Sequence, residues 1–163
     1  MRPKVGVFPI DGRSGLWHNW GGERKQERCP MSNRTDPKDG LKTRVLLVDD
    51  NAAFLRVASD FLQRQHELVV VGAIGRSEEP LARARGLRPQ VVLIGLDRSG
   101  LEDIRLLRKV LPGVGIIALT LLDDNVYRQA ALAAGADDLV RKAELTTDLL
   151  PAIRRVTQAK RSR

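Results

Sequence analysis

The sequence predicts a doubly wound α/β domain of five βα units, and three features predict it. Five short runs rich in Val, Ile and Leu recur along the chain without polar alternation, as strands buried on both faces do. Amphipathic stretches of helical length separate them. Glycine and proline punctuate the joins. Strands that alternate with helices imply a parallel sheet with right-handed crossovers and helices on both faces.

The elements follow in order. The first run is Val45–Val48, and after it Phe54, Val57, Ala58 and Phe61 share one helical face. The second run is Leu68–Ala73. Ser77 is placed to cap the next helix, Gly86 to end it and Pro89 to open the following strand. The third run is Val91–Leu96, followed by a helix carrying Leu101, Ile104 and Leu107 that Pro112-Gly113 stops. The fourth is Gly115–Thr120, followed by a helix whose inward face is read as Val126, Ala130 and Ala133/Ala134, ended by Gly135. The fifth is Asp138–Val140. Proline is tolerated in a first helical turn, so Pro151 sets the start of the last helix near Thr147 or Asp148.

The 163 residues are 42% hydrophobic and 29% charged, a normal globular balance. No apolar run approaches the ~20 residues of a membrane span, and the apolar stretch after Met1-Arg2-Pro3-Lys4 is too short for a signal-peptide core. Cys29 is the sole cysteine, which excludes an internal disulfide framework and fits a reducing, cytoplasmic setting. The net charge of +8 is uneven: residues 1–43 carry +4, residues 44–158 carry +1 and residues 159–163 carry +3. Residues 1–43 hold Gly and Pro without periodicity and are expected to be a disordered basic leader, in which Trp17, Trp20 and His18 are incidental and Met31 offers a second start. The folded domain is expected over 44–158, with Lys160-Arg161-Ser162-Arg163 in a solvated basic tail over 159–163.

In a doubly wound sheet the functional site lies at the carboxyl ends of the strands. Asp49 and Asp50 follow the first strand. Adjacent carboxylates there are costly unless a cation joins them, and hard oxygen ligands suit Mg²⁺. Helix capping by Asp50 or Asn51 is the plainer alternative. Thr120 ends the fourth strand and Lys142 follows the fifth. Carboxylates, hydroxyl and ammonium converging from three strands suit a cluster of anionic oxygens such as a phosphoryl group.

These residues carry a resemblance. Val45-Leu46-Leu47-Val48-Asp49-Asp50-Asn51, Ile117-Ala118-Leu119-Thr120 and Gly135-Ala136-Asp137-Asp138-Leu139-Val140-Arg141-Lys142 resemble a bacterial response-regulator receiver domain, CheY-like and most similar to those preceding a LuxR-type DNA-binding helix-turn-helix. The resemblance covers Arg44 to about Gln158. It implies a flavodoxin-like sheet of order 2-1-3-4-5. It also implies an acidic pair that binds Mg²⁺, Thr and Lys contacts to a phosphoryl group, and an acceptor aspartate ending the third strand.

The acceptor position falls on Gly95, which has no side chain, so no acyl phosphate can form there. Further departures lie nearby: Arg98-Ser99-Gly100 where the family has Met-Pro-Gly, Asp103 where it has glycine, Leu139 for its aromatic switch residue and Ala143 after the lysine. Asp97 is a weak substitute acceptor. It lies ~7 Å beyond position 95 along an extended strand and should project away from Lys142 and the acidic pair. Glycine and aspartate codons can differ by one base, which leaves an aspartate at position 95 as a further alternative.

His66 reads as a solvated loop histidine, and Gly72-Ala73-Ile74-Gly75 lacks the spacing of a dinucleotide fingerprint. No nucleophile–base arrangement marks an enzyme. The expected function is that of a stand-alone, atypical receiver in two-component phosphorelay signalling, acting by protein–protein contact on a sensor kinase or other signalling proteins. It is expected as a monomer or weak homodimer, without membrane attachment or specific DNA readout. Mg²⁺ binding is expected to be weak, with Lys142 free to pair directly with Asp49 or Asp50. The competing readings are a receiver phosphorylated on Asp97, a nucleic-acid-associated protein binding through its basic termini and a flavodoxin-like enzyme.

Overall fold

The computed structural model describes residues 41–97 and 99–163. The leader with Trp17, Trp20, His18, Cys29 and Met31 lies outside the described residues, as does Arg98. Five strands form one parallel sheet: β1 (Thr43–Val48), β2 (Leu68–Ile74), β3 (Val91–Gly95), β4 (Gly115–Thr120) and β5 (Asp138–Arg141). Their order is β2-β1-β3-β4-β5, as the resemblance implies. The helices are α1 (Ala52–Gln63), α2 (Pro80–Leu87), α3 (Gly100–Val110), α4 (Asn125–Ala134) and α5 (Leu145–Arg161).

Successive strand residues feed opposite faces. Val45, Leu47, Leu93 and Leu119 pack under α1 and α5 through Ala58, Leu62, Leu149, Ala152 and Ile153. Leu46, Val48, Val92, Ile94 and Ala118 pack under α2, α3 and α4 through Ala84, Ile104, Leu107, Ala131 and Ala134. That division explains the unbroken apolar strands: both faces are covered, so neither alternate set can be polar. Parallel pairing of β1 with β3 and of β3 with β4 brings the ends of these strands, Val48, Gly95 and Thr120, to one edge. The register of β1 on β2 slips between Val45 and Leu46, which pair with Val70 and Gly72.

Several local expectations are corrected. Ser77 caps no α-helix; it lies in a 3₁₀ turn, Arg76–Glu78, and α2 starts at Pro80, where a missing N–H costs nothing. Gly86 stays inside α2, which ends when Arg88 turns left-handed at φ 49°. Val57 and Val126 face solvent. α1 buries Ala58, as expected, with Leu62, and α4 lies close enough to the sheet that it buries Ala134, also expected, with Ala131, while Ala133 is exposed. α5 starts at Leu145, so Pro151 is interior. Both Pro151 and Thr147 are exposed, so water can serve the carbonyl that the proline leaves unpaired. α5 runs to Arg161 and Lys160 pairs with Asp137 at 3.1 Å, so the basic end is largely helix, with Arg161, Ser162 and Arg163 exposed as expected. β1 begins at Thr43, whose amide donates to Glu67 O at 2.8 Å. His66 is exposed in the turn before β2.

Candidate functional site

The site is built where β1, β3, β4 and β5 open towards solvent. Asp49 leaves β1 and is buried at 5% exposure. Its Oδ1 accepts from the Asn51 amide at 2.9 Å. Its Oδ2 is ion-paired with Lys142 Nζ but lacks an aligned hydrogen bond, so charge attraction holds the pair. Lys142 opens a 3₁₀ turn after β5 and also lies 4.4 Å from the centre of the Phe54 ring, whose negative face favours a cation. Of the two capping candidates, Asn51 is the one used: its side chain accepts from the Phe54 amide at 3.0 Å.

Gly95 faces this pair directly. A Cβ placed on Gly95 would lie 2.9 Å from Asp49 Cγ and nearer still to Oδ2, inside any real contact. The Asp49 carboxylate therefore occupies the space where a side chain at position 95 would begin. Thr120 is buried at 2% exposure, and its Oγ1 accepts from the Leu122 amide at 3.1 Å, closing a turn after β4. Thr120 pairs in register with Arg141, one residue before Lys142. Leu139 is half-buried against the helical layer of α2, α3 and α4.

A residue that the sequence did not single out completes the site. Arg76, just after β2, sends its guanidinium across the strand ends with 9% of the side chain exposed. Nη2 donates to the carbonyl of Gly95. Nη1 is ion-paired with Asp97, donates to Ser99 Oγ at 3.2 Å and stands 3.8 Å from Asp50 Oδ2. Nε is 3.1 Å from Asp103 Oδ2. The Arg76 amide also donates to Asp50 Oδ1 at 3.0 Å. Desolvation raises the Asp103 carboxyl above its ordinary range, against the lowering pull of Arg76. Asp97 does leave the strand, but the chain bends there, so its carboxylate meets Arg76 alongside Asp50 and does not project away from the acidic pair. The available signal was charge: an acidic pair, Asp97 and Asp103 near one edge need more than Lys142 to offset them.

A family model for the response regulator receiver domain matches residues 45–154. The chain belongs to this family. It is similar to the response regulator protein VraR of Staphylococcus aureus, with 32% identity over 123 residues, 72% of this chain and 58% of the relative. The chain thus spans about three-fifths of the curated relatives it matches. The response regulator domain of Thermotoga maritima CheB shares 26% identity with a TM-score of 0.66, covering 72% of this chain and 97% of that one. A LuxR-family two-component response regulator from Aurantimonas sp. shares the fold at 23% identity with a TM-score of 0.67, covering 72% and 86%. Receiver domains of this kind interact with sensor kinases and other signalling proteins and typically bind Mg²⁺ at the phosphorylation site. Among the described residues no helix is long and apolar enough to cross a membrane.

The donor set of this receiver does not fit that ion as it stands. Asp49 Oδ2 is neutralised by Lys142, and the Gly95 carbonyl is taken by Arg76. Asp50, Asp97 and Asp103 all turn to the same guanidinium. A small hard cation needs these oxygens free.

Proposed function

We propose that this receiver acts in two-component signalling by protein–protein contact, without aspartyl phosphorylation. The observation that carries the reading is Gly95: the acceptor position has no side chain, and the Asp49 carboxylate fills the space beside it. Lys142, which in relatives contacts the phosphoryl group, is committed to Asp49. Contact with a protein partner is supported by exposed apolar side chains on the β4–α4 connection and α4: Leu121, Leu122, Val126 and Tyr127 are 79%, 51%, 70% and 43% exposed. Apolar side chains gathered in this way mark interaction surfaces. The activity is that of a binding module. Sensor kinases and other signalling proteins are the partners proposed, and the cytoplasm is the compartment proposed.

Incubation with acetyl phosphate and Mg²⁺ tests the reading by intact mass. No phosphoryl adduct should form on the wild-type chain. An adduct that disappears in Asp97→Asn would make Asp97 the acceptor and overturn the proposal.

A further inference from the structure

We infer that Arg76 is a built-in counter-cation that takes the place of the divalent ion, so that this receiver site is closed to Mg²⁺. The inference deepens the proposed function, since a site with a fixed internal cation has one state and no metal-dependent switch. It rests on identifying the strand-end cluster as the receiver site, and not on the chemistry of position 95.

The argument begins with what the guanidinium touches. A single side chain from the β2–α2 connection reaches Asp50 after β1, Gly95 O and Asp97 at the end of β3, and Ser99 and Asp103 at the start of α3. With 9% exposure it has lost most of its hydration, and only these anionic partners offset that loss. A planar fork of five N–H donors can serve several oxygens at once. A carbonyl that already accepts from a guanidinium cannot ligate a metal until that group leaves. Gly100 makes the room: a Cβ there would stand 2.6 Å from Gly95 O and 3.1 Å from Arg76 Nη2. Gly100 therefore permits α3 to start against the guanidinium.

The charge balance also has to be met. Asp49, Asp50, Asp97 and Asp103 face Arg76 and Lys142, leaving two carboxylates in excess. Asp50 and Asp97 are 58% and 48% exposed, so water solvates that excess without a second cation. Taking the guanidinium away would leave the carboxylates of Asp50, Asp97 and Asp103 and the Gly95 carbonyl without their cation, and hard oxygens of this kind are what a divalent ion takes.

Calorimetric titration with Mg²⁺ alone compares the wild-type chain with Arg76→Ala. The variant should bind at least about tenfold more tightly, because a cation already in place must otherwise be expelled. Equal affinities, or a folded variant that gains nothing, would overturn the inference. Should Arg76→Ala fail to fold alone, its recovery by millimolar Mg²⁺ supports the inference and failure to recover counts against it. NMR of the wild-type chain gives a second measurement. The Arg76 Nε–H signal should stay in place as Mg²⁺ is added; displacement at millimolar Mg²⁺ would show that the ion ejects the side chain. Acetyl phosphate labelling is independent of these results, so the two proposals can fail separately.

Discussion

At the scale of single residues the site is held together by charge pairing. Lys142 and Asp49 are 13% and 6% exposed in their side chains, so neither charge is well served by water. Removing one partner of such a pair strands the other. Lys142→Met should therefore destabilise the domain by about 2–4 kcal/mol in urea unfolding. Part of that loss is the contact of Nζ with the Phe54 ring. Asp49→Asn/Lys142→Met should cost less than the sum of the two single changes, with a coupling of about 1–3 kcal/mol. Strict additivity would show that the pair is held in place by its surroundings and contributes nothing of its own. Arg76 differs in kind: its charge is shared among three carboxylates and a carbonyl, so no single acidic substitution strands it.

At the scale of elements, close approach to the sheet decides which glycines matter. Gly115 opens β4 beneath α5, and a Cβ there would run into Val156 Cγ1 and lie 3.4 Å from Gln90 O. A branched side chain on a packed helix cannot rotate clear. Gly115→Ala should cost about 1–3 kcal/mol through overpacking. Gly86, inside α2, has nothing within 4 Å of its would-be Cβ, and Gly86→Ala should stabilise by about 0.5–1 kcal/mol. Chemical denaturation of both variants should give opposite signs; the same sign would mean that α5 or α2 is not seated as described. The elements also show what the sequence made legible. The runs of β1, β3 and β4 were readable because burial on both faces leaves no alternation to confuse them, and β2 at the sheet edge was readable because it is apolar throughout although only alternate residues are buried. The inward face of α4 was readable only at Ala134, because α4 packs through Ala131 and Ala134 while the larger Val126 and Tyr127 are left outside. Asp49, Asp50, Thr120 and Lys142 were readable because each follows or ends a strand. Arg76 belongs to no motif, and its long side chain finds partners that only the assembled sheet brings together.

At the scale of the whole molecule, one sheet organises the described residues. Among the described residues, the buried members of both apolar clusters run from Val45 to Val156, on either side of one sheet. The earliest of the described residues with a part in the sheet is Thr43, which donates to Glu67 O. Residues 1–40 carry eight basic and five acidic side chains, so their removal lowers the net charge by three and leaves in the chain every buried residue that the two clusters draw from Val45 to Val156. The chain lacking residues 1–40 should therefore melt in a single transition within about 4 °C of the full protein, the shift that ~1 kcal/mol produces in a domain of this size. Differential scanning calorimetry of the two proteins, at equal concentration and ionic strength, makes the comparison. A larger fall would mean that the leader supplies apolar contact, with Trp17 and Trp20 the side chains able to bury the most. A rise would point instead to charge: positive groups of the leader repelling the basic run at the end of α5, Lys160 and Arg161, in which case added salt should bring the two melting temperatures together.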